Sequence, residues 1–380
     1  MMSLHPKPDI AAFAKLCEQQ TKLSDYPLAQ TVEKNILCYA GDTLRAAERD
    51  KSLRTRLLQE ISSTLQFGPG VLVIKAAYTD MAVLEDQNAV FETILQREAD
   101  KQTGDHFAKA GANGRIWNSL QKSALLNPQS FINYYKNPLI ALVSEAWLGP
   151  DFQMTAQVNI VRPGGQAQSP HRDYHLGFQS AEVLEQYPAH VHKMSSMLTL
   201  QGAIAHTDMP LESGPTLLLP YSQQYEEGYL AWRDAAFKTY FEKNAVQLSI
   251  KQGDAVFFNP ALFHAAGSNQ TTDFHRSANL LQVSSAFGRA METVDRYAIS
   301  QALYPYLLNS WPHFSDSERD AVLSSSCEGY SFPTNLDTDP PLGGMAPETH
   351  KALTHRALQE GWTSEKYNSE LTAHWNRRRA

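Results

Sequence analysis

From residue 8 to about 67 the apolar positions recur at steps of three and four, as in Leu53, Leu57, Leu58, Ile61 and Leu65, the period at which a helix turns one face to a core. This spacing predicts a helical leader that ends at Gly68-Pro69-Gly70. The texture then changes. Val71-Leu72-Val73-Ile74 is a continuous apolar run of β-forming residues between turn formers, as expected of a buried strand. Asp80 is placed to cap a helix reaching about Arg97, with Leu84, Phe91, Ile94 and Leu95 on one face. A further helix is expected from Pro138, in its first turn, to Leu148, closed by Gly149-Pro150.

Between about 152 and 290 short β-rich runs at 153–162, 195–206, 214–220, 246–250, 254–259 and 274–287 are separated by Gly, Pro, Asn and Asp, the pattern of an antiparallel barrel or sandwich. The polar insert 221–245 carries Trp232, Phe237, Tyr240 and Phe241 at helical spacing, which predicts a helix crossing one end of the barrel. Beyond Arg289 the helical period returns, with Ser315 and Glu318 spaced as a capping box, then a Pro/Gly-rich stretch at 333–347 and a polar terminal helix. The chain thus reads as α+β: a β core over 68–290 with helical extensions at 1–67 and 291–380.

Composition narrows the function classes. A formal charge of −7, spread along the chain, gives no basic field for nucleic acid or an anionic membrane, and Arg377-Arg378-Arg379 is too short to change that. Cys17, Cys38 and Cys327 are odd in number and widely spaced, against both a disulfide framework and a thiolate zinc site. No segment approaches the roughly 18 apolar residues of a membrane span, and the first residues lack the apolar stretch of a signal peptide. The expectation is a soluble, unprocessed cytoplasmic protein, monomer or homodimer.

His171 and Asp173 are the first candidates for chemistry. Residues at i and i+2 of a strand project to one side, so both side chains can reach one metal ion. A lone His-x-Asp is a weak signal. His264, ending the apolar run Phe257-Phe258-Asn259-Pro260-Ala261-Leu262-Phe263, completes the two imidazoles and one carboxylate that non-haem iron oxygenases use while leaving three positions open. Arg276 follows across the polar segment 267–273. A hairpin centred near Gln270 sets 264 opposite 276 on the same face, at about 5 Å between Cβ atoms. A dicarboxylate fits that geometry: its 2-oxo acid end chelates the metal and its far carboxylate takes the forked guanidinium.

The strings HRDYHLGF, ESGPTLLLP and GDAVFFNPALFHAAGSN…HRSANLLQ resemble the phytanoyl-CoA dioxygenase family of 2-oxoglutarate oxygenases over about residues 70 to 290. The resemblance implies a double-stranded β-helix (a jelly-roll, cupin-like core). It also implies iron(II), O2 and the cosubstrate 2-oxoglutarate, with ascorbate as supporting reductant, and release of succinate and CO2 as a small organic molecule is oxidised. It assigns the metal to His171, Asp173 and His264 and the cosubstrate to Arg276. Relatives that halogenate carry a small residue in place of the carboxylate, so Asp173 argues for oxidation, with hydroxylation the first expectation and desaturation, epoxidation or rearrangement as alternatives on the same iron site. A catalytically inactive β-helix that binds a ligand or partner is the alternative of another class. The acyl-CoA of the family name calls for a compact basic cluster, and none lies near the barrel motifs.

Other residues carry weaker expectations. Gln157 and Asn159 alternate on the strand before the metal loop, where amides can reach a cosubstrate carboxylate. Gly214-Pro215-Thr216 reads first as a turn into a strand, with Thr216 a candidate cosubstrate contact. Trp117 and Asn118 are candidates for a pocket wall, and His175 for a contact behind the metal or to substrate. His190 and His192 form a second i, i+2 pair, read as a loop or substrate-facing position, while His275 should face away from the site. Aromatic residues of 221–245, with Tyr174, Phe178 and His206, suggest a pocket for a hydrophobic or aromatic molecule.

Overall fold

A computed structural model describes residues 5–98 and 113–379. Its strands are β1 (Thr31–Glu33), β2 (Ile36–Ala40), β3 (Val71–Lys75), β4 (Asn113–Ile116), β5 (Gln153–Val161), β6 (Thr199–Ala205), β7 (Leu217–Leu218), β8 (Ala255–Phe258), β9 (His264–Ala265) and β10 (Arg276–Ser284). Among the described residues eight of them form one sheet in the order β1-β2-β3-β8-β6-β10-β5-β4. Every pairing is antiparallel except β2 with β3. β7 and β9 form a small second sheet, widened by single-residue bridges from His171 to His264 and from Val246 to Leu218.

Along β2, β3 and β8 the large sheet is apolar on both faces, which is why those strands read as continuous rather than alternating apolar runs. Leu37, Tyr39, Leu72, Ile74, Phe257 and Leu281 point outward into a core shared with the helices. Their neighbours Ile36, Cys38, Val71, Val73, Val256 and Phe258 point inward, toward Leu218, Leu248 and Leu262 on the side of the small sheet. Two facing sheets with a cavity between them make the double-stranded β-helix. The predicted helices appear as Met81–Arg97, capped by Asp80, Pro138–Leu148, with proline in its first turn, and Asp316–Ser326, with the Ser315/Glu318 capping box formed. The polar C-terminal helix is two, His350–Gln359 and Ser364–Arg378.

Three expectations need correction. The leader is not wholly helical, because Ile36-Leu37-Cys38-Tyr39 extends the large sheet by pairing with β3, a contact remote in sequence that outweighs local period. The insert 221–245 folds as two short helices, Gly228–Ala231 and Ala235–Asn244. Phe237 and Phe241 pack there on Phe13 of the Ile10–Cys17 helix, so these aromatics build core rather than a pocket. The runs at 246–250 and 195–198 are not strands: the first makes only isolated bridges, and the second belongs largely to the Ala189–Met197 helix.

Candidate metal centre

His171 follows the loop that leaves β5, and it pairs with His264 at one residue only: each backbone N–H donates to the other's carbonyl, at 3.0 and 3.2 Å. The Asp173 N–H donates to Pro260 O at 3.1 Å, and Tyr174 turns the chain with a φ of 37°. The expected strand at 171–173 is therefore a bridged loop, bent immediately after Asp173. Its backbone bonds nonetheless bring all three side chains together.

The ligand atoms of His171, Asp173 and His264 lie within 4.8 Å of one another. Nε2 of His171 is 3.7 Å from Asp173 Oδ1, and Nε2 of His264 is 3.4 Å from Oδ2. Each Nδ1 faces a backbone carbonyl, Ser169 O at 2.8 Å and Leu262 O at 2.9 Å. A carbonyl only accepts, so both Nδ1 atoms carry the hydrogen and both Nε2 lone pairs are left toward the shared point. Burial raises the Asp173 carboxyl, but His171, His264 and a hydrogen bond from Gln201 outweigh it and hold the group well below the usual carboxylate range. Burial lowers His171 despite the carboxylate beside it, keeping its imidazole neutral. Two imidazoles and one ionised carboxylate on one side of a point are a donor set that would suit iron(II) and would leave positions for other ligands.

The cavity between the sheets, of about 150 Å³, is lined by His171, Asp173, His264 and Arg276. Arg276 is only 6% exposed, its Nη1 is buried without an acceptor, and no carboxylate lies within ion-pair reach of it among the described residues. Burial alone pushes it down to about 10. An uncompensated guanidinium in an apolar wall costs several kcal/mol, roughly, which a bound anion offsets. The route to this geometry differs from the predicted hairpin. His264 pairs with Leu218 and Arg276 with Val161, so the two stand on different sheets and face one cavity. Segment 267–273 is a crossover rather than a tight turn, pinned by Asn269 Nδ2 donating to Val161 O and Phe274 O.

The profile of the family Phytanoyl-CoA dioxygenase (PhyH) matches residues 68–278, more than half of the chain. The chain belongs to the phytanoyl-CoA dioxygenase family. No curated protein matches it. Among solved structures it is similar to the epimerase SnoN in complex with Fe3+, alpha ketoglutarate and nogalamycin RO, at 16% identity over 62% of this chain and 85% of that one, with a TM-score of 0.42. It is also similar to the alpha ketoglutarate dependent carbocyclase SnoK from nogalamycin biosynthesis, at 21% identity over 63% and 86%, with a TM-score of 0.45.

In this family member Gln157, Asn159 and Thr216 all line the cavity. Gln157 Oε1 accepts from Arg115 at 3.3 Å, while the Asn159 Oδ1 is buried without a donor. Trp117, Phe178 and Met291 line it too, and both rings are partly exposed. Asn118 instead donates its backbone N–H to Glu292 at 2.6 Å, and His175 lies 3.0 Å from Arg289 O. His190 and His192 sit on a helix rather than a loop, with His192 bonded to Leu184 O, outside the cavity. His206 also lies outside it, bonded to Tyr134 and Asn88, and burial pushes it down to about 3. His275 is exposed, as its position beside Arg276 requires. Gln201 was not singled out by sequence reasoning. Its signal is a lone amide on the apolar run 198–205, at an inward position with Ala203 and Ala205.

Proposed function

We propose that this protein oxidises a small organic molecule using iron(II), O2 and 2-oxoglutarate, releasing succinate and CO2, with a hydroxylated product. The observation that carries the reading is the shared cavity: a metal-ready His171-Asp173-His264 set and a buried, acceptor-less Arg276 open onto one space. Iron with its cosubstrate and oxygen supplies the oxidising power, and the chain supplies positions and exclusion of water. His171, Asp173 and His264 hold the metal. Arg276 takes the distal carboxylate of 2-oxoglutarate as a two-point fork, and the walls formed by Val73, Leu218, Ile250 and Val256 suit its methylenes. Gln157, Asn159 and Thr216 are the polar groups available to the rest of the cosubstrate.

Anaerobic titration with iron(II) and then 2-oxoglutarate tests this directly. A visible charge-transfer band saturating at one equivalent of each is the expected result, and a featureless titration would sink the proposal.

The substrate end is drawn from Trp117, Phe178 and Met291, which favour a hydrophobic or aromatic molecule. An aromatic contact is worth about 0.5–1.5 kcal/mol. Trp117→Ala therefore raises the substrate KM roughly three- to tenfold while leaving the KM for 2-oxoglutarate unchanged. Succinate release across a metabolite screen, with product mass on any hit, reads both quantities and separates oxygen insertion from loss of two hydrogens.

A further inference from the structure

Arg172, between His171 and Asp173 in the chain, does not line the cavity that they face. It is 2% exposed, and no carboxylate pairs with it among the described residues. Its Nη2 donates to Ser222 O at 2.6 Å and Tyr225 O at 2.8 Å, and its guanidinium lies 5.2 Å from the ring centres of both Tyr229 and Phe263. Tyr229, Phe263 and Ser222 lead back to the metal centre. The Tyr229 hydroxyl faces Asp173 O at 3.1 Å and Tyr174 O at 2.7 Å, holding the backbone of one ligand at its bend. Phe263 directly precedes His264, and its N–H donates to Ser222 Oγ at 2.8 Å. Phe13 of the N-terminal helix backs the Phe263 ring at 4.8 Å. The fit has no slack, since a Cβ on Gly228 would stand 1.9 Å from the Arg172 Cζ.

We propose that Arg172 is the positioning residue of the metal centre: next to His171 in the chain, it ties the backbone of Asp173 through Tyr229 and that of His264 through Ser222 and Phe263. The proposal rests on the metal-centre reading above. Its partners are carbonyls and ring faces, so the side chain serves by shape and donor geometry as much as by charge. Lysine keeps the charge but offers neither the planar fork nor a stacking face. Groups that orient metal ligands from behind typically contribute about 10- to 100-fold in metal affinity.

The experiment titrates the full-length apoprotein with cobalt(II) alone, whose visible d–d bands report both affinity and coordination geometry. Wild type is expected to bind with a defined spectrum. Arg172→Lys and Arg172→Met are expected to bind about 10- to 100-fold more weakly, with altered bands. Tyr229→Phe, which removes one hydroxyl, is expected to show a smaller shift in the same direction and decides the matter if the Arg172 variants do not fold. Folded variants with wild-type affinity and spectrum overturn the positioning role while leaving the metal site standing. A wild-type protein that binds no cobalt overturns the metal-centre reading itself.

Discussion

Asp173→Ala is expected to reduce both substrate oxidation and succinate release to the level of a protein-free control. Asp173 is the only carboxylate grouped with His171 and His264 among the described residues, and its neighbours keep it ionised, so it brings the negative charge of the ligand set. Alanine leaves only the two imidazoles and strands the Gln201 amide that donates to Oδ2. Two imidazoles alone hold a divalent ion far more weakly than a set with a carboxylate. Succinate quantified alongside product, with iron supplied in excess, checks the result. Turnover near the wild-type rate would remove Asp173 from the site.

Arg276 presents a conflict between binding and folding that a second pair of variants exposes. A charge-assisted hydrogen bond contributes about 1.5–3 kcal/mol. Losing a two-point contact in Arg276→Ala should therefore raise the KM for 2-oxoglutarate by roughly 10²- to 10⁴-fold, with Arg276→Lys in between. Arg276→Met, which keeps bulk and removes a buried charge lacking a carboxylate partner, is expected to lose 2-oxoglutarate binding to a similar degree. Its apoprotein should nevertheless melt at the wild-type temperature or above. Calorimetry of the apoprotein beside cosubstrate titration reads both. A marked drop in melting temperature with unchanged 2-oxoglutarate affinity would make Arg276 a structural residue.

The features legible in the sequence are those set by local chemistry. Asp80, Pro138 and the Ser315/Glu318 box mark helix starts because a cap is satisfied within three or four residues. His171, Asp173, His264 and Arg276 were singled out by residue type and spacing, and the structure brings all four to one cavity. The pairing that joins them was misread. Counting from 264 to 276 assumes that the chain folds straight back, whereas Asn269 anchors a crossover to the other sheet. The same limit hid β2, whose partner lies more than thirty residues away in β3. Arg172 was invisible for another reason: a charged residue between His171 and Asp173 looks solvent-facing until Tyr229 and Phe263 are seen to enclose it.

The parallel seam between β2 and β3 has a practical consequence for anyone shortening this protein. The family profile begins at residue 68, an inviting place to start a trimmed clone. Such a clone would discard β1, β2 and Phe13 together, leaving Val71–Lys75 as an unprotected border of the large sheet, apolar on both sides. A bare strand of that character is a template for self-association. The first 67 residues are therefore a built-in guard against aggregation as much as an extension.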